Sequence, residues 1–268
     1  MKQVVSDKNP YKSVRSCKFN GAKAYLAEVL LKQNSNYHLD FGAHDGELIA
    51  SLKRNNLIAK GVGLDANKEM VDAHRVGMPM GVTLNLIEIN SPIAFENNTF
   101  DSISIIGVVE HVVEQEKLLK ELHRVLLPTG TILVAVPGKH LLSFLDMGNW
   151  KFKFPRLHEY YVVASKGRDF FKNQYSENPN GLYGDVEKEK FWHEHFSKND
   201  LKILLMECGY SIKDVDGFGF FNRLITNLAY FSPNFLTNFF NLLVKIDARY
   251  FASTEIWVLA EKSLNVDG

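Results

Sequence analysis

The stretch HLDFGAHDGELIASL, residues 38–52, sets Asp40, Gly42, His44 and Gly46 between a strand-like run and a helix-like run. Glycines at such a junction let the backbone turn sharply, approach a ligand and start a helix close against the strand. The position between them often needs a positive φ, and histidine, like Asn and Asp, enters that region more readily than most other residues. His44 is therefore an admissible occupant, with Asp45 beside it to support the turn. A pyrophosphate at a helix N-terminus is disfavoured by nearby carboxylates, and this loop carries Asp40, Asp45 and Glu47. It favours a cofactor whose contacting part is cationic or zwitterionic. A further acid, Asp65, ends the next strand-like run, GVGLD, where a carboxylate can accept hydrogen bonds from ribose hydroxyls. Taken alone, that acid reads equally as a helix cap.

Four imidazoles are candidates for acid–base work near neutral pH. His111 follows the fourth strand-like run, His158 lies in FPRLHEYY, and His193 and His195 flank Glu194 in FWHEHFS. His195 is the preferred base and His111 the second. The His193/His195 pair has the residue types of a metal site, but spacing fixes no third ligand, so no metal is expected. Arg156, His158, Tyr160, Tyr161, Tyr183 and Trp192 put aromatic faces beside cationic and hydroxyl groups. That mixture suits a sugar or another polar, ringed acceptor, with His158, Tyr161, Trp192 and His193 as its contacts. It reads equally as a surface subdomain with its own small core.

These residues need elements to hold them. Residues 1–20 are polar and irregular, and Tyr25, Leu26, Val29, Leu30 and Leu31 then recur at helical spacing in 21–35. YHLDF (37–41), GVGLD (61–65), GVTLNLIEIN (81–90), FDSISIIGVVEHV (100–112) and TILVAVP (131–137) read as five strands, with helical runs after the first, second and fourth. In EQEKLLKELHRVLLPTG, Leu118, Leu119, Leu122, Val125 and Leu126 share one helical face that stops at Pro128 and Gly130. The alternation predicts an α/β fold with a doubly wound, parallel sheet. Residues 138–194 read as an inserted cap, and 195–210 as a helix with Ser197 as N-cap and Gly209 after its last turn. YSIKDVDGFGFF (210–221) and TEIWVLAEK (254–262) read as strands. Between them, the aromatic-rich 222–251 reads as paired short helices whose apolar face covers the sheet edge, meets a second copy in a homodimer, or rests on lipid.

A chain of 268 residues holds one well-buried α/β domain without requiring a second. Lys+Arg and Asp+Glu are each 31, so no net charge draws the chain to nucleic acid or an anionic membrane. Cys17 and Cys208 are isolated and read as reduced thiols in a cytoplasmic protein. The N-terminus lacks the apolar run of a signal peptide, and no stretch of about 18 apolar residues is present.

The motifs Phe100-Asp101, Glu110-His111-Val112 and Arg124-Val125-Leu126, with Pro128-Thr129-Gly130, follow the glycine loop in order. In that combination the chain resembles the class I S-adenosylmethionine-dependent methyltransferases, particularly their small-molecule branch, over about residues 37–137. WHEHFSKNDLKILLMECGY extends the resemblance. It implies a seven-stranded Rossmann-like sheet with the last strand antiparallel. It implies S-adenosylmethionine across Asp40, Gly42, His44 and Gly46, with Asp65 and Ala66 at the ribose. The methionine end would lie on the glycine loop and the Ile106–Val108 backbone, including Gly107. Asn90 and Glu88 are the candidates beside the adenine, because a straightforward match puts Ile89 there. The expected reaction is methyl transfer to a small-molecule, saccharide or lipid-linked saccharide acceptor at a hydroxyl, by in-line displacement from a sulfonium. An NAD(P)-dependent oxidoreductase would need GxGxxG and a YxxxK pair, which the chain lacks. A methyltransferase fold with a dead site is the remaining alternative.

Overall fold

The computed structural model describes residues 21–140, 147–178, 180–230, 232–250 and 254–263. The predicted polar arm (1–20) and residues 141–146 of the predicted cap lie outside them. Seven strands form one sheet: β1 (Tyr37–Phe41), β2 (Lys60–Asp65), β3 (Val82–Leu86), β4 (Phe100–Ile106), β5 (Leu126–Pro137), β6 (Tyr210–Phe218) and β7 (Glu255–Lys262). Their spatial order is β3-β2-β1-β4-β5-β7-β6. The first five run parallel, and β7 runs antiparallel to both β5 and β6. The connection direction reverses between β1 and β4, which opens a crevice beyond their carboxyl ends.

Helices α1 (Gly21–Gln33), α2 (Glu47–Arg54), α3 (Lys68–His74), α4 (Gln115–Val125) and α8 (Lys198–Glu207) flank the sheet. Between β5 and α8 come α5 (Trp150–Lys153), α6 (Pro155–Lys166), α7 (Arg168–Phe171) and a two-residue ribbon, Leu182–Tyr183 with Val186–Glu187. Ser197 caps α8, accepting from the Asp200 N–H while the Asp200 carboxylate accepts from the Ser197 N–H. α9 (Asn222–Tyr230) and α10 (Thr237–Tyr250) pack on each other, and α10 rests on β6. Leu224, Leu228, Phe239, Leu242 and Ile246 stay exposed on this pair.

Four strand boundaries differ from expectation, the last being β6, which stops at Phe218 instead of Phe221. β3 stops at Leu86 because the chain leaves the extended region, with Asn90 at φ 60°. β4 stops at Ile106 because Gly107 turns at φ 67°, and Val109–His111 form a single helical turn. β5 begins at Leu126 rather than Thr131: Leu126 pairs with Phe100, so Pro128 and Gly130 lie inside an irregular strand and α4 ends at Val125. Periodicity could not separate these because Leu126 suits a helical face and a sheet core equally.

Apolar side chains bury both faces of the central strands. Leu39, Phe100, Ile103, Leu119, Leu122 and Leu201 fill one layer, and Leu26, Leu30, Ile49, Leu52 and Trp257 the other. A polar column interrupts them. His38, Ser102, Ser104 and Asp40 are all buried between β1 and β4. The Ser104 hydroxyl donates to Asp40 Oδ1 at 2.6 Å. Its oxygen must then accept from His38 Nε2, 2.9 Å away, which leaves His38 Nδ1 to accept from the Ser102 hydroxyl at 2.9 Å. Burial drives His38 down to about 3, so the ring is neutral. Replacing His38 by Leu removes one partner from each serine, leaving Ser104 on Asp40 and Ser102 on Asp101, and should cost about 2 kcal/mol in urea denaturation at unchanged m-value. The double change His38→Leu with Ser102→Ala should recover part of that loss. Full retention of stability in the single variant would contradict the column.

Candidate active site

The loop after β1 folds as its residue types require. Gly42 has φ 78° and Gly46 φ 72°, and His44 between them has φ 51°. A Cβ on Gly42 would come within 2.1 Å of Val108 Cγ2, so the turn after β4 presses directly on the loop after β1. At Gly46, which precedes α2, a Cβ would meet Met78 at 2.9 Å. Asp45 Oδ1 accepts from the Glu47 N–H at 3.0 Å and closes the turn. Asp65, at the end of β2, reaches across: its carboxylate accepts from the His44 N–H at 2.6 Å and from the Asn67 N–H at 2.8 Å. Asp40 lies beneath the loop, 3% exposed. Burial pushes its carboxyl up to about 6, against the opposing bond from Ser104.

A cavity of about 1500 Å³ opens above these carboxyl ends. Gly42, His44, Asp65, Ala66, Asn90 and Gly107 all line it, as do Glu88 and Ile89. Asp40 and Gly46 are not among its lining residues. His111 lines its far end together with Asp185. The other predicted acceptor contacts fall outside the lining. Tyr161 and Trp192 are 56% and 55% exposed, and His158 packs edge-on against Tyr175 with 4.8 Å between ring centres. His195 lies behind His193, 5.5 Å ring to ring. Tyr175, Phe170, Gln174, Leu182 and Gly184 line the cavity instead. Gln174 Nε2 donates to Glu69 Oε2 at 3.1 Å, tying this segment to α3 across the opening. No sequence signal distinguished Tyr175 from its aromatic neighbours, because only the packing of α6 and α7 decides which ring faces inward.

The far end brings together groups distant in sequence. Glu110 is buried, and its Oε1 lies 3.7 Å from His111 Nε2 and 3.9 Å from His193 Nε2. Asp185 Oδ2 stands 3.9 Å from His111 Nε2, and Asp185 also pairs with Lys151. Burial raises Glu110 to about 7 and lowers His111 to about 4, so neither readily carries charge without a partner. Lys190 Nζ fixes this end, donating to Glu194 Oε2 at 2.8 Å and to the Val112 carbonyl at 2.9 Å. The motif residues Asp101 and Arg124 serve the scaffold. Asp101 accepts the Asn36 and Tyr37 N–H groups, and Arg124 donates to the Ile93 and Phe95 carbonyls.

Comparison with known proteins agrees with this geometry. The family model described as a methyltransferase domain matches residues 39–134. The ubiquinone/menaquinone biosynthesis C-methyltransferase UbiE of Enterobacter sp. (strain 638) is 29% identical over 122 residues, 44% of this chain and 42% of that protein. UbiE of Escherichia fergusonii is 31% identical over 139 residues, 50% of this chain and 55% of that protein. The chain thus spans about half the length of the curated relatives it matches. An S-adenosylmethionine-dependent methyltransferase from Mesorhizobium loti has the same fold, with TM-score 0.55 and 15% identity over 93% of this chain and all of its own. The [4+2]-cyclase SpnF shares it too, at TM-score 0.54 and 15% identity over 94% of this chain and 85% of its own. At such identities these two show the fold alone. Residues 39–134 of the chain are thus similar to the methyltransferase-domain family, within a fold shared with S-adenosylmethionine-dependent methyltransferases. The cofactor of such a domain is S-adenosylmethionine.

Asp40 provides a test of the site's electrostatics. Its folded carboxyl titrates at about 6, above the unfolded value near 3.9, so the stability it contributes is present at low pH and lost as pH rises through 6. Asp40→Asn should therefore stabilise the ligand-free protein at pH 8 by roughly 2 kcal/mol and change little at pH 4. Denaturation curves at both pH values measure it, and an equal effect at the two would refute the buried-carboxylate account.

Proposed function

We propose that the chain transfers the methyl group of S-adenosylmethionine to a small acceptor carrying an ionisable hydroxyl. The reacting atom is that oxygen or a ring carbon activated by it. The observation that carries this reading is the run of cavity-lining backbone and carboxylates at the ends of β1, β2 and β4. The left-handed Gly107 presents bare backbone to the cavity, and the missing Cβ of the left-handed Gly42 lets Val108 close in beside it. Asp65 is held in place by two loop N–H groups with its outer lone pairs available to a ribose diol. Asp40 supplies a negative charge under a loop that meets the ammonium of the cofactor's zwitterionic amino-acid end. Ile89 and Asn90 form the wall next to the expected adenine.

The bound cofactor supplies an electrophilic methyl group on sulfur. The protein's part is to align an acceptor in line with it and keep water out. His111, the predicted base that lines the cavity, faces an acceptor placed over Gly107. Tyr175, Phe170 and Leu182 offer that acceptor flat, apolar contact from the segment between β5 and α8. This favours a ringed acceptor. The saccharide reading loses support because Tyr161 and Trp192 face solvent. The relatives named as C-methyltransferases favour carbon as the reacting atom.

Calorimetry should show S-adenosylmethionine binding and none of the reduced dinucleotide. Asp65→Asn should weaken binding about tenfold, as expected when a carboxylate that accepts hydrogen bonds becomes an amide. Affinity should fall as pH drops below about 6, where Asp40 takes up a proton and no longer attracts a cation. Absence of cofactor heat with the wild-type protein, or an Asp65→Asn variant that binds normally, would overturn the reading.

A further inference from the structure

The far end of the cavity is over-supplied with donor atoms for a site that only shapes an apolar acceptor. Glu110, His111 and His193 each offer one ligand-type atom, and the three atoms lie within 4.8 Å of one another. None of the gaps that the carboxylate makes, 3.7 Å to His111 Nε2 and 3.9 Å to His193 Nε2, is short enough for a hydrogen bond. Glu110 is 2% exposed, and its Oε2 has no hydrogen-bond partner. A buried carboxylate left this way is costly unless a cation compensates it. The two imidazoles cannot do so by hydrogen bonding at these separations. A divalent ion can, because zinc bonds nitrogen and carboxylate oxygen at about 2.0–2.2 Å, which small side-chain rotations would reach.

The surroundings fit an open site rather than a closed structural one. The three residues come from two segments, 109–111 and the approach to α8, which are tied to each other on both sides: Lys190 donates to the Val112 carbonyl, and Gln115 to Glu194. Asp185, 3.9 Å from His111 Nε2, is 69% exposed and could enter as a fourth ligand by sharing its contact with Lys151. The remaining direction leads past His111 into the cavity beside Gly107, whose Cβ position lies 3.6 Å from Glu110 Oε1.

We propose that Glu110, His111 and His193 bind a divalent transition ion such as zinc, with an open position facing the cavity that takes an oxygen of the methyl acceptor. The ion site stands on its own ligands; only the acceptor's role rests on the methyltransferase reading. In that arrangement His111 is a ligand, and the ion's charge draws the acceptor hydroxyl toward its ionised form.

The untagged full-length protein, stripped of metal, should be dialysed against cobalt(II) and against zinc(II). About one equivalent should be retained, with visible cobalt absorption, and X-ray absorption of the zinc form should show two imidazole nitrogens with oxygen donors. Glu110→Gln and His193→Ala should each lower the affinity at least tenfold while circular dichroism shows the fold intact. No retained ion, a spectrum without imidazole, or folded variants that bind as the wild type does would each overturn the proposal. The imidazole signature needs no variant, so a misfolded substitution does not spare it. Cofactor titration of the metal-free protein separates the two readings. Cofactor bound without ion uptake removes only the ion, and ion uptake without cofactor binding removes the methyltransferase reading.

Discussion

The turn after β4 is driven into the loop after β1, and everything at the site depends on that contact. Val108 Cγ2 occupies the space a Cβ at residue 42 would need, so the two loops can meet only over a glycine. Their approach puts bare backbone from two adjacent parallel strands on the floor of one crevice. It also seals Asp40 beneath them, away from water. A buried acid in that position is unfavourable by itself. The fold holds it through Ser104 and, behind that, His38 and Ser102, a line of neutral hydrogen bonds reaching into the sheet. The carboxylate is thus poised between two charge states, and the cation it would meet decides which one prevails.

The cavity has two ends of different chemistry. At the β1–β2 end, acids and backbone groups converge on a polar nucleoside, and Asp65 already uses two loop N–H groups to hold its orientation. At the β4 end, His111 and Asp185 line the wall, with Glu110 and His193 packed beside His111. Between them, Tyr175 and Phe170 descend from the segment after β5, held across the opening by the Gln174–Glu69 bond. One bridge therefore couples the acceptor's roof to the helix that follows Asp65.

Much of the first end was legible in order and residue type. His44 as a tolerated left-handed residue, Asp65 at a strand end and Ser197 as an N-cap follow from local rules of dihedral tolerance, period and capping chemistry, whereas the antiparallel final strand was implied only by the family resemblance. The strand boundaries were less legible. Leu126 satisfies a helical face and a sheet core at once, and only pairing with Phe100 assigns it to β5. The second end was hardly legible. His193 and His195 look equivalent in FWHEHFS, yet His193 meets Glu110 and His111 whereas His195 stands behind it. The aromatic segment 155–192 offered too many similar rings for composition to choose Tyr175 over Tyr161.

By itself, the amino-acid order determined the alternation of strands and helices, the glycine turn and the acids that follow the first two strands. Each of those depends on neighbours within a few residues, where φ preference and hydrophobic period act directly. Only tertiary structure decided which histidine joins Glu110, which tyrosine faces the cavity and why Gly42 tolerates no side chain. Those outcomes depend on contacts between segments tens of residues apart, set by strand pairing and by the packing of α6 and α7, to which local preference is blind.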